Sequence, residues 1–170
     1  VDLGSTTIAA HLTDLKSGDV LSSSGLMNPQ IRFGEDLMSR VSYSMMNQGG
    51  DDEMTTVVRE AINTLARQLR TEAKIEQNAL VEVVFVCNPV MHHLLLGIDP
   101  VELGQAPFAL ASSNSISVSA SKLKLDDINP SGRCYILPCI AGHVGADAAA
   151  VALSEKPDKS EDLVLVVDVG

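Results

Sequence analysis

The sequence predicts an α/β domain built on one mixed sheet, with an antiparallel meander first, parallel strands after it and helices on both faces. Three observations support this fold class. Residues 1–26 contain short apolar stretches separated by Gly-containing turns. Residues 51–73 carry apolar side chains at helical spacing. Beyond residue 80, short apolar runs rich in β-branched residues alternate with helical segments, as in sheets whose parallel strands are joined by helices.

The amino-terminal meander is predicted as three strands. Residues 1–3 end the first strand, residues 7–13 form the second and residues 20–26 form the third. Gly4-Ser5-Thr6 is predicted to make the first turn, and Ser17-Gly18 is typical of a hairpin turn. Hairpins of this kind place neighbouring strands antiparallel.

The following segments are predicted as a loop at 28–35, a helix at 36–47 and a long helix at 51–73. Acidic residues open the long helix, where the helix dipole favours negative charge. Residues 81–86 are almost continuously apolar, which predicts a central strand buried on both faces. Pro89 then predicts a helix start, and the helix is expected to run to about Leu96.

The remainder of the chain is predicted less uniformly. Residues 99–133 are interpreted as an insertion with one or two short strands, with a linker as the alternative. A short buried strand at 134–137, a helix at 142–153, a polar connection at 154–161 and a buried strand at 163–167 are expected to follow, in this order.

Both ends of the chain fall within predicted strands, so we expect it to be part of a longer polypeptide. Residues 1–160 are predicted to form one lobe, and residues 161–170 the first strand of a second lobe. An apolar strand without a partner seeks a sheet edge, so the 163–167 strand is a candidate for pairing two copies into a dimer.

Composition excludes several classes of function. Hydrophobic residues make up 45% of the chain, which is enough for a core, and the net charge is −10. Nucleic acids and anionic membranes attract basic surfaces, so neither is an expected partner. No apolar run approaches the roughly 18 residues that span a bilayer. The three cysteines lack disulfide or zinc spacing and are interpreted as buried, reduced thiols of a cytoplasmic protein.

One short motif suggests chemistry because it occurs twice. An apolar strand runs into Asp2-Leu3-Gly4 at the start of the chain and into Asp168-Val169-Gly170 at its end. Glycine lets the backbone approach a phosphate, and successive backbone N–H groups bind its oxygens. A neighbouring aspartate holds Mg²⁺ through water. An ordinary polar turn is the alternative for either copy alone. The predicted nucleotide-binding residues are Gly4, Ser5, Thr6, Thr7 and Gly170, with Asp2 and Asp168 as catalytic and Mg²⁺-binding residues.

These two turns resemble the first and second phosphate loops of the actin, sugar-kinase and heat-shock-chaperone ATPase superfamily. Within that superfamily, several blocks resemble the reductive activators of corrinoid proteins. The blocks cover nearly the whole chain: Asn28-Pro29-Gln30, Phe33-Gly34-Glu35-Asp36, Ser39-Arg40-Val41, Asn88 with Met91-His92-His93-Leu94-Leu95-Leu96-Gly97, Leu103-Gly104, Ala106-Pro107-Phe108, and residues 138–147. Cys87-Asn88-Pro89 departs from the hydroxyl-rich turn of many relatives, although Asn88 is kept.

The resemblance implies a ribonuclease-H-like, actin-like ATPase fold whose parent protein uses ATP and Mg²⁺. Such a parent passes an electron from an iron–sulphur domain, with a [2Fe-2S] cluster outside this chain, to a corrinoid protein partner, restoring Co(I). We expect the chain alone to bind nucleotide weakly and to hydrolyse it negligibly. The resemblance also marks candidate cleft or partner contacts at Asn28, Gln30, Glu35, Asp36, Arg40 and Asn88.

Alternatives remain for these residues and for the whole chain. Asp36 is also a candidate helix cap, and the paired His92 and His93 are interpreted as one packed and one exposed helix residue rather than as metal ligands. For the chain as a whole, the alternatives are a docking module of the same parent or a lobe of a sugar-kinase or chaperone-type ATPase.

Overall fold

A computed structural model describes residues 1–159 and 161–167. These residues form a mixed sheet in the order β3-β2-β1-β4-β6-β5. The strands are β1 Asp2–Leu3, β2 Thr7–Thr13, β3 Val20–Met27, β4 Glu82–Cys87, β5 Ile116–Ser119 and β6 Arg133–Ile136.

The strand directions confirm the predicted mixed sheet. β1, β2 and β3 form an antiparallel meander. β4 runs parallel to β1, and β6 runs parallel to β4. The edge strand β5 is antiparallel to β6, which the sequence did not indicate. As a result, β1, β4 and β6 all end at the same edge of the sheet.

Apart from the last, the helices begin within one residue of their predicted positions. They are α1 Leu37–Met46, α2 Gly50–Ala73, α3 Pro89–Leu96 and α4 Ala146–Glu155. Short 3₁₀ helices lie at Pro29–Phe33, Gln77–Ala79, Val101–Gly104, Ala120–Leu123 and Pro157–Lys159. The first of these lies in the predicted loop, because the Asn28 side chain accepts a hydrogen bond from the Gln30 N–H and Pro29 suits a first turn. No helix of the described residues is long and apolar enough to cross a membrane.

The two faces of the sheet differ in how well they are covered. Leu3, Ile8, Phe85 and Ile136 lie on the face that packs into the core, and all are fully buried. α2 lies against this face, and its Leu69 carbonyl accepts a hydrogen bond of 2.9 Å from the Ser22 hydroxyl of β3. α4 contacts β4. The prediction that β4 is buried on both faces is wrong, because Val84 remains 43% exposed.

The 99–133 segment is packed into the domain. It supplies the edge strand β5, the one strand that this segment forms in the structure. Leu123, Leu125 and Ile128 of the same segment are buried in the core. The linker alternative is therefore wrong, since a linker would not supply core side chains.

Two predictions near the carboxyl end need correction. The helix predicted at 142–153 begins at Ala146, because Ala141 and Val144 form an isolated β-bridge and Gly145 is the N-cap. Residues 163–167, predicted as a buried strand, form no strand, and Leu163 and Leu165 are 102% and 86% exposed. The segment pairs with no strand of the described sheet, so its backbone has no ladder to join. Residues 168–170 lie outside the described residues, and Asp168 and Gly170 with them.

Candidate functional site

The site begins at the turn between β1 and β2. The Gly4 N–H donates a hydrogen bond to the Thr7 carbonyl at 3.1 Å, which closes the turn. A Cβ at position 4 would lie 2.7 Å from that carbonyl oxygen, closer than real Cβ atoms approach. Only glycine therefore fits this turn, as the sequence predicted for a phosphate-binding hairpin.

Three consecutive carbonyls of the turn accept hydrogen bonds from the core side. The Gly4 carbonyl accepts from Asn28 Nδ2 at 2.8 Å, and the Thr6 carbonyl accepts from the Asn28 N–H at 2.8 Å. The Ser5 carbonyl accepts from Arg40 Nη2. Two residues distant in sequence thus fix the orientation of three successive peptide planes.

The opposite sides of those peptide planes carry the N–H groups of Ser5, Thr6 and Thr7. In a trans peptide the N–H points away from the preceding carbonyl. Because the carbonyls are held toward the core, these N–H groups are directed away from it. No acceptor among the described residues takes the Ser5 or Thr6 N–H, and Thr6 and Thr7 are exposed. The turn can therefore offer backbone donors and threonine hydroxyls to an anion.

A buried polar network supports the turn. Asn28, Gln30 and Arg40 are all fully buried. Arg40 Nε donates to the Gly34 carbonyl at 3.0 Å, and its Nη1 donates to Gln30 Oε1 at 3.3 Å. Gln30 Nε2 donates to the Met54 carbonyl of α2 at 2.9 Å. Arg40 Nη1 and Asn28 Nδ2 also donate to the Met91 sulfur, at 3.2 and 3.6 Å. The buried polar side chains are therefore hydrogen-bonded, as burial requires.

The Arg40 charge is held in a low-polarity environment without a buried carboxylate partner. Burial lowers its pKa to about 10, and Asp36 opposes the shift. At neutral pH the guanidinium remains protonated and bonds to carbonyl dipoles, including that of Ser5. Asn28, Gln30 and Arg40, predicted as possible cleft or partner contacts, have no exposed surface and lie behind the turn, where they support it.

The two acidic candidates, Glu35 and Asp36, do not belong to this buried network. Asp36 caps α1, accepting from the Ser39 N–H at 2.8 Å and from the Ser39 hydroxyl at 2.9 Å. The Ser39 N–H lowers the Asp36 pKa, so the cap stays ionised. Glu35 is exposed. The cap alternative is confirmed for Asp36, and neither side chain hydrogen-bonds to the turn.

A second turn meets the first at the same edge of the sheet. Asn88 follows β4 and caps α3, its Oδ1 accepting from the Met91 N–H at 2.9 Å. α4 starts directly against it: a Cβ on Gly145 would lie 2.6 Å from the Asn88 Cα and 2.6 Å from the Cys87 carbonyl oxygen. The close approach of α4 to this turn therefore requires glycine at position 145. The starts of α3 and α4 both lie beside the end of β1.

The carboxylates at this edge are Asp2 and Asp147. Asp2 is exposed and pairs with Ala9 of β2 and Val86 of β4. Burial raises the pKa of the Cys87 thiol, and the nearby Cys139, Asp147 and Asp2 raise it further. The two carboxylates therefore both lie near Cys87. Sequence reasoning did not select Asp147; the signal for it was a Gly-Ala-Asp helix start after a parallel strand.

The donor set near the turn suits an ion held largely by water. Within residues 1–159 and 161–167, no group of three His, Cys, Asp or Glu residues is arranged to hold a metal. An exposed carboxylate such as Asp2 fits Mg²⁺, which usually keeps several waters and takes one or two protein carboxylates. The predicted partner Asp168 lies outside the described residues.

Among residues 1–159 and 161–167, the thiols and histidines belong to no group of three side chains that could hold a metal. Cys87, Cys134 and Cys139 are buried and free, as the sequence predicted. His92 and His93 are both buried, so the prediction that one is exposed is wrong. Both lie on α3, a short helix enclosed by its neighbours on nearly every side.

Comparison with known proteins agrees with this geometry. The RACo middle region family matches residues 1–160. The chain is 32% identical over 169 residues to the corrinoid activation enzyme RamQ of Eubacterium limosum, covering 99% of the chain and 28% of that protein. A solved reductive activator for corrinoid, iron-sulfur protein superposes with a TM-score of 0.90 at 35% identity, over 95% of the chain and 26% of that protein.

The chain therefore spans about a quarter of the length of these two relatives. The family match covers nearly the whole chain, including the β1–β2 turn, its buried support and α4. The chain belongs to the RACo middle region family.

Proposed function

We propose that this domain is the phosphate-binding lobe of an ATP-dependent reductive activator that restores Co(I) in a corrinoid protein. The names of the two relatives, a corrinoid activation enzyme and a reductive activator, support the activity of the parent. The electron would come from an iron–sulphur domain, with a [2Fe-2S] cluster, in the part of the parent beyond these residues.

The fold assigned to this lobe is ribonuclease-H-like, as in actin-like ATPases. Support comes from the strand order, in which a three-stranded meander is followed by parallel strands β4 and β6. The first hairpin turn then lies at the edge where the parallel strands end. Ligands of open α/β sheets bind at the carboxyl ends of such strands.

The observation that carries the proposal is the orientation of the β1–β2 turn. Asn28 and Arg40 hold the Gly4, Ser5 and Thr6 carbonyls toward the core. The following N–H groups face the opposite way, where phosphate oxygens would accept from them. An ordinary polar hairpin turn does not need a buried arginine and a buried asparagine to orient it.

Within this assignment, each residue of the turn has a distinct role. Gly4 permits the close turn, and Ser5 to Thr7 bind phosphate oxygens. Asp2 and Asp168 hold Mg²⁺ through water, and Gly170 of the second loop contributes to nucleotide binding. ATP supplies the free energy that the parent couples to electron transfer. Asp147, beside Asn88, is a further carboxylate available to orient water around the metal.

A docking module is the second candidate, and the net charge of −10 favours it. Its other support, a long insertion, is weaker because Leu123 and Leu125 of that segment are buried in the core. A sugar-kinase or chaperone-type lobe has less support still, since both relatives are activators of corrinoid proteins.

Asp2→Ala separates the two leading candidates. We expect it to weaken MgATP binding to the parent activator by tenfold or more while binding to the corrinoid protein is unchanged. Asp2→Asn, which keeps the size of the side chain but removes its charge, is the matched variant and should also weaken MgATP. An unchanged MgATP affinity in both variants would contradict the role of Asp2.

The same assignment predicts weak nucleotide binding and negligible hydrolysis by the 170-residue chain alone, because it contains one side of the cleft. Phosphate release measured over hours tests this. Sustained turnover by the purified chain would show that a complete catalytic site lies within it.

A further inference from the structure

The outward face of α1 carries methionines that the described part of the chain leaves uncovered. Met38 and Met45 are two helical turns apart and so lie on the same side of the helix, and Met46 follows directly. Their exposed fractions are 43%, 60% and 81%. On the opposite side of α1, Arg40 and Val41 are buried. We call the group of Met38, Met45 and Met46 the methionine patch.

The methionine patch has the character of a protein-binding surface. Single exposed apolar side chains are common, but a group of them bordered by polar residues marks an interaction site. Methionine suits such a site because its flexible, polarizable side chain adapts to the shape of a partner. The helix below it is held firmly, since a Cβ on Gly104 would lie only 2.6 Å from Val41 Cγ1. The patch is therefore presented on a fixed support.

Carboxylates border the methionine patch at one end and on one flank. Glu35 and Asp36 are exposed at the amino-terminal end of α1. Glu102 is exposed on the 3₁₀ helix Val101–Gly104, which packs against α1 where Gly104 meets Val41. Neither Glu35 nor Asp36 hydrogen-bonds to the phosphate turn, so these charges have no role in the site described above.

The flank of α1 that faces α2 is acidic as well. The Tyr43 hydroxyl of α1 donates a hydrogen bond of 2.9 Å to Glu53 Oε2 of α2. The cation Arg32 lines a shallow groove together with Asp52 and Glu53, so it lies among carboxylates. The guanidinium of Arg40 is buried behind the helix. An apolar centre is thus surrounded by a negatively charged rim on three sides.

We propose that the methionine patch docks the corrinoid protein, through a partner surface with apolar side chains at its centre and lysines or arginines around them. Such an interface excludes water from its apolar centre and places charged groups at its rim. The opposite charges steer the two proteins together and fix their orientation. This inference rests on the proposed function, since it takes the corrinoid protein as the partner of the parent.

The position of the patch favours this partner over a second copy of the chain. Arg40, on the same helix, donates to the Ser5 carbonyl of the phosphate turn. A protein docked on α1 is therefore joined to the nucleotide site through one buried side chain, as ATP-coupled activation requires. A second copy would bring the same carboxylates against this rim, where like charges repel.

Two double variants of the parent activator test the proposal. Met38→Gln with Met45→Gln removes the apolar centre but keeps the size of the side chains. Glu35→Lys with Glu102→Lys reverses charge at the rim. We expect each double variant to raise the Kd for the corrinoid protein by about tenfold or more, measured by isothermal titration calorimetry without nucleotide. The affinity for MgATP and the midpoint of thermal unfolding should stay unchanged in both.

Glu60→Lys with Glu72→Lys is the matched control. It changes the net charge of the activator by the same amount, at exposed positions farther along α2. We expect it to leave the Kd for the corrinoid protein unchanged. Added salt should weaken binding by the unsubstituted activator more than binding by the Glu35→Lys, Glu102→Lys variant, because salt screens the charges at the rim.

The outcomes separate this inference from the proposed function. If the unsubstituted activator binds the corrinoid protein and both patch variants bind it equally well, the docking surface lies elsewhere and the proposed function stands. An equal loss of affinity in the control would reduce the effect to net charge and would also overturn the inference. Dimers that sedimentation equilibrium detects, and that Met38→Gln with Met45→Gln abolishes, would assign the patch to a second copy. If the unsubstituted activator binds no corrinoid protein, the proposed function fails and the inference fails with it.

Discussion

The two ends of β1 lie in different surroundings. At its carboxyl end, the Gly4–Thr7 turn is held by buried polar groups, and its carbonyls accept hydrogen bonds from Asn28 and Arg40. At its amino end, the backbone edges of β2 and β4 border an apolar cavity. The first end is complete within the chain, except for the outward N–H groups that a ligand would take.

The difference shows that the domain keeps polar groups at the carboxyl end of β1 although they lower its stability. A buried guanidinium and two buried amides cost desolvation, and apolar residues of similar size would often be as stable. Their retention is explained if they fix the orientation of the turn. The cavity at the amino end of β1 has no comparable buried polar network, and its lining is mostly apolar.

The largest effect is expected when the buried polar network that supports the Gly4–Thr7 turn is disrupted. Arg40→Met removes the donors to the Ser5 and Gly34 carbonyls and leaves buried acceptors without partners. We expect the free energy of unfolding to fall by about 3 kcal/mol, measured by urea denaturation. Exchange of the turn amides should also accelerate.

Arg67→Met is the matched control. Arg67 is 59% exposed and pairs with Asp127 on the surface, so its loss should have a much smaller effect on stability. Equal losses in the two variants would show that Arg40 acts as an ordinary surface charge and not as a support of the turn.

The second prediction concerns the pH dependence of stability. It involves His92 of α3, the helix that starts beside the carboxyl end of β1. Burial, with the neighbouring His93, lowers the pKa of His92 to about 4 from an ordinary value near 6.5. Between these values the unfolded chain binds the proton and the folded chain does not, so stability is lost as the pH falls from 6.5 toward 4. We expect His92 to account for about 3 kcal/mol of that loss.

His92→Leu should flatten the dependence of the unfolding free energy on pH within this window, since neither ring nitrogen of His92 has a hydrogen-bond partner to lose among the described residues. A profile that His92→Leu does not alter would assign the acid sensitivity to another group.

The smallest effect is expected at Asn88. It distinguishes a role as the cap of α3 from a contact with the nucleotide. Asn88→Ala removes the acceptor for the Met91 N–H and should cost about 1 kcal/mol in unfolding free energy. Asn88→Ser restores a capping oxygen and should recover most of the stability. If both variants bind MgATP as the unsubstituted chain does, Asn88 is a cap only; if both lose binding despite restored stability in Asn88→Ser, the side chain contacts the nucleotide.

Sequence reasoning was most successful where a local signal was strong. The Gly4 turn, the Pro89 helix start and the helical spacing of α2 each have a local physical cause, and all lie as predicted. The buried role of Arg40 could not be foreseen, because its partners lie 6 and 35 residues away along the chain. Likewise, the 163–167 segment has the composition of a buried strand, but a strand also needs an edge that no local pattern reveals.

The central claim is that the outward N–H groups of the Gly4–Thr7 turn bind phosphate, and the most direct test is a ¹H–¹⁵N NMR titration of the chain with MgATP and with magnesium tripolyphosphate. We expect both ligands to shift the Ser5, Thr6 and Thr7 amide signals, while those of His11 and Val84, beside the amino end of β1, stay in place. Shifts at the turn should be lost in Gly4→Val, because the added Cβ clashes with the Thr7 carbonyl. Unchanged turn signals at millimolar ligand, or shifts confined to other parts of the chain, would contradict it.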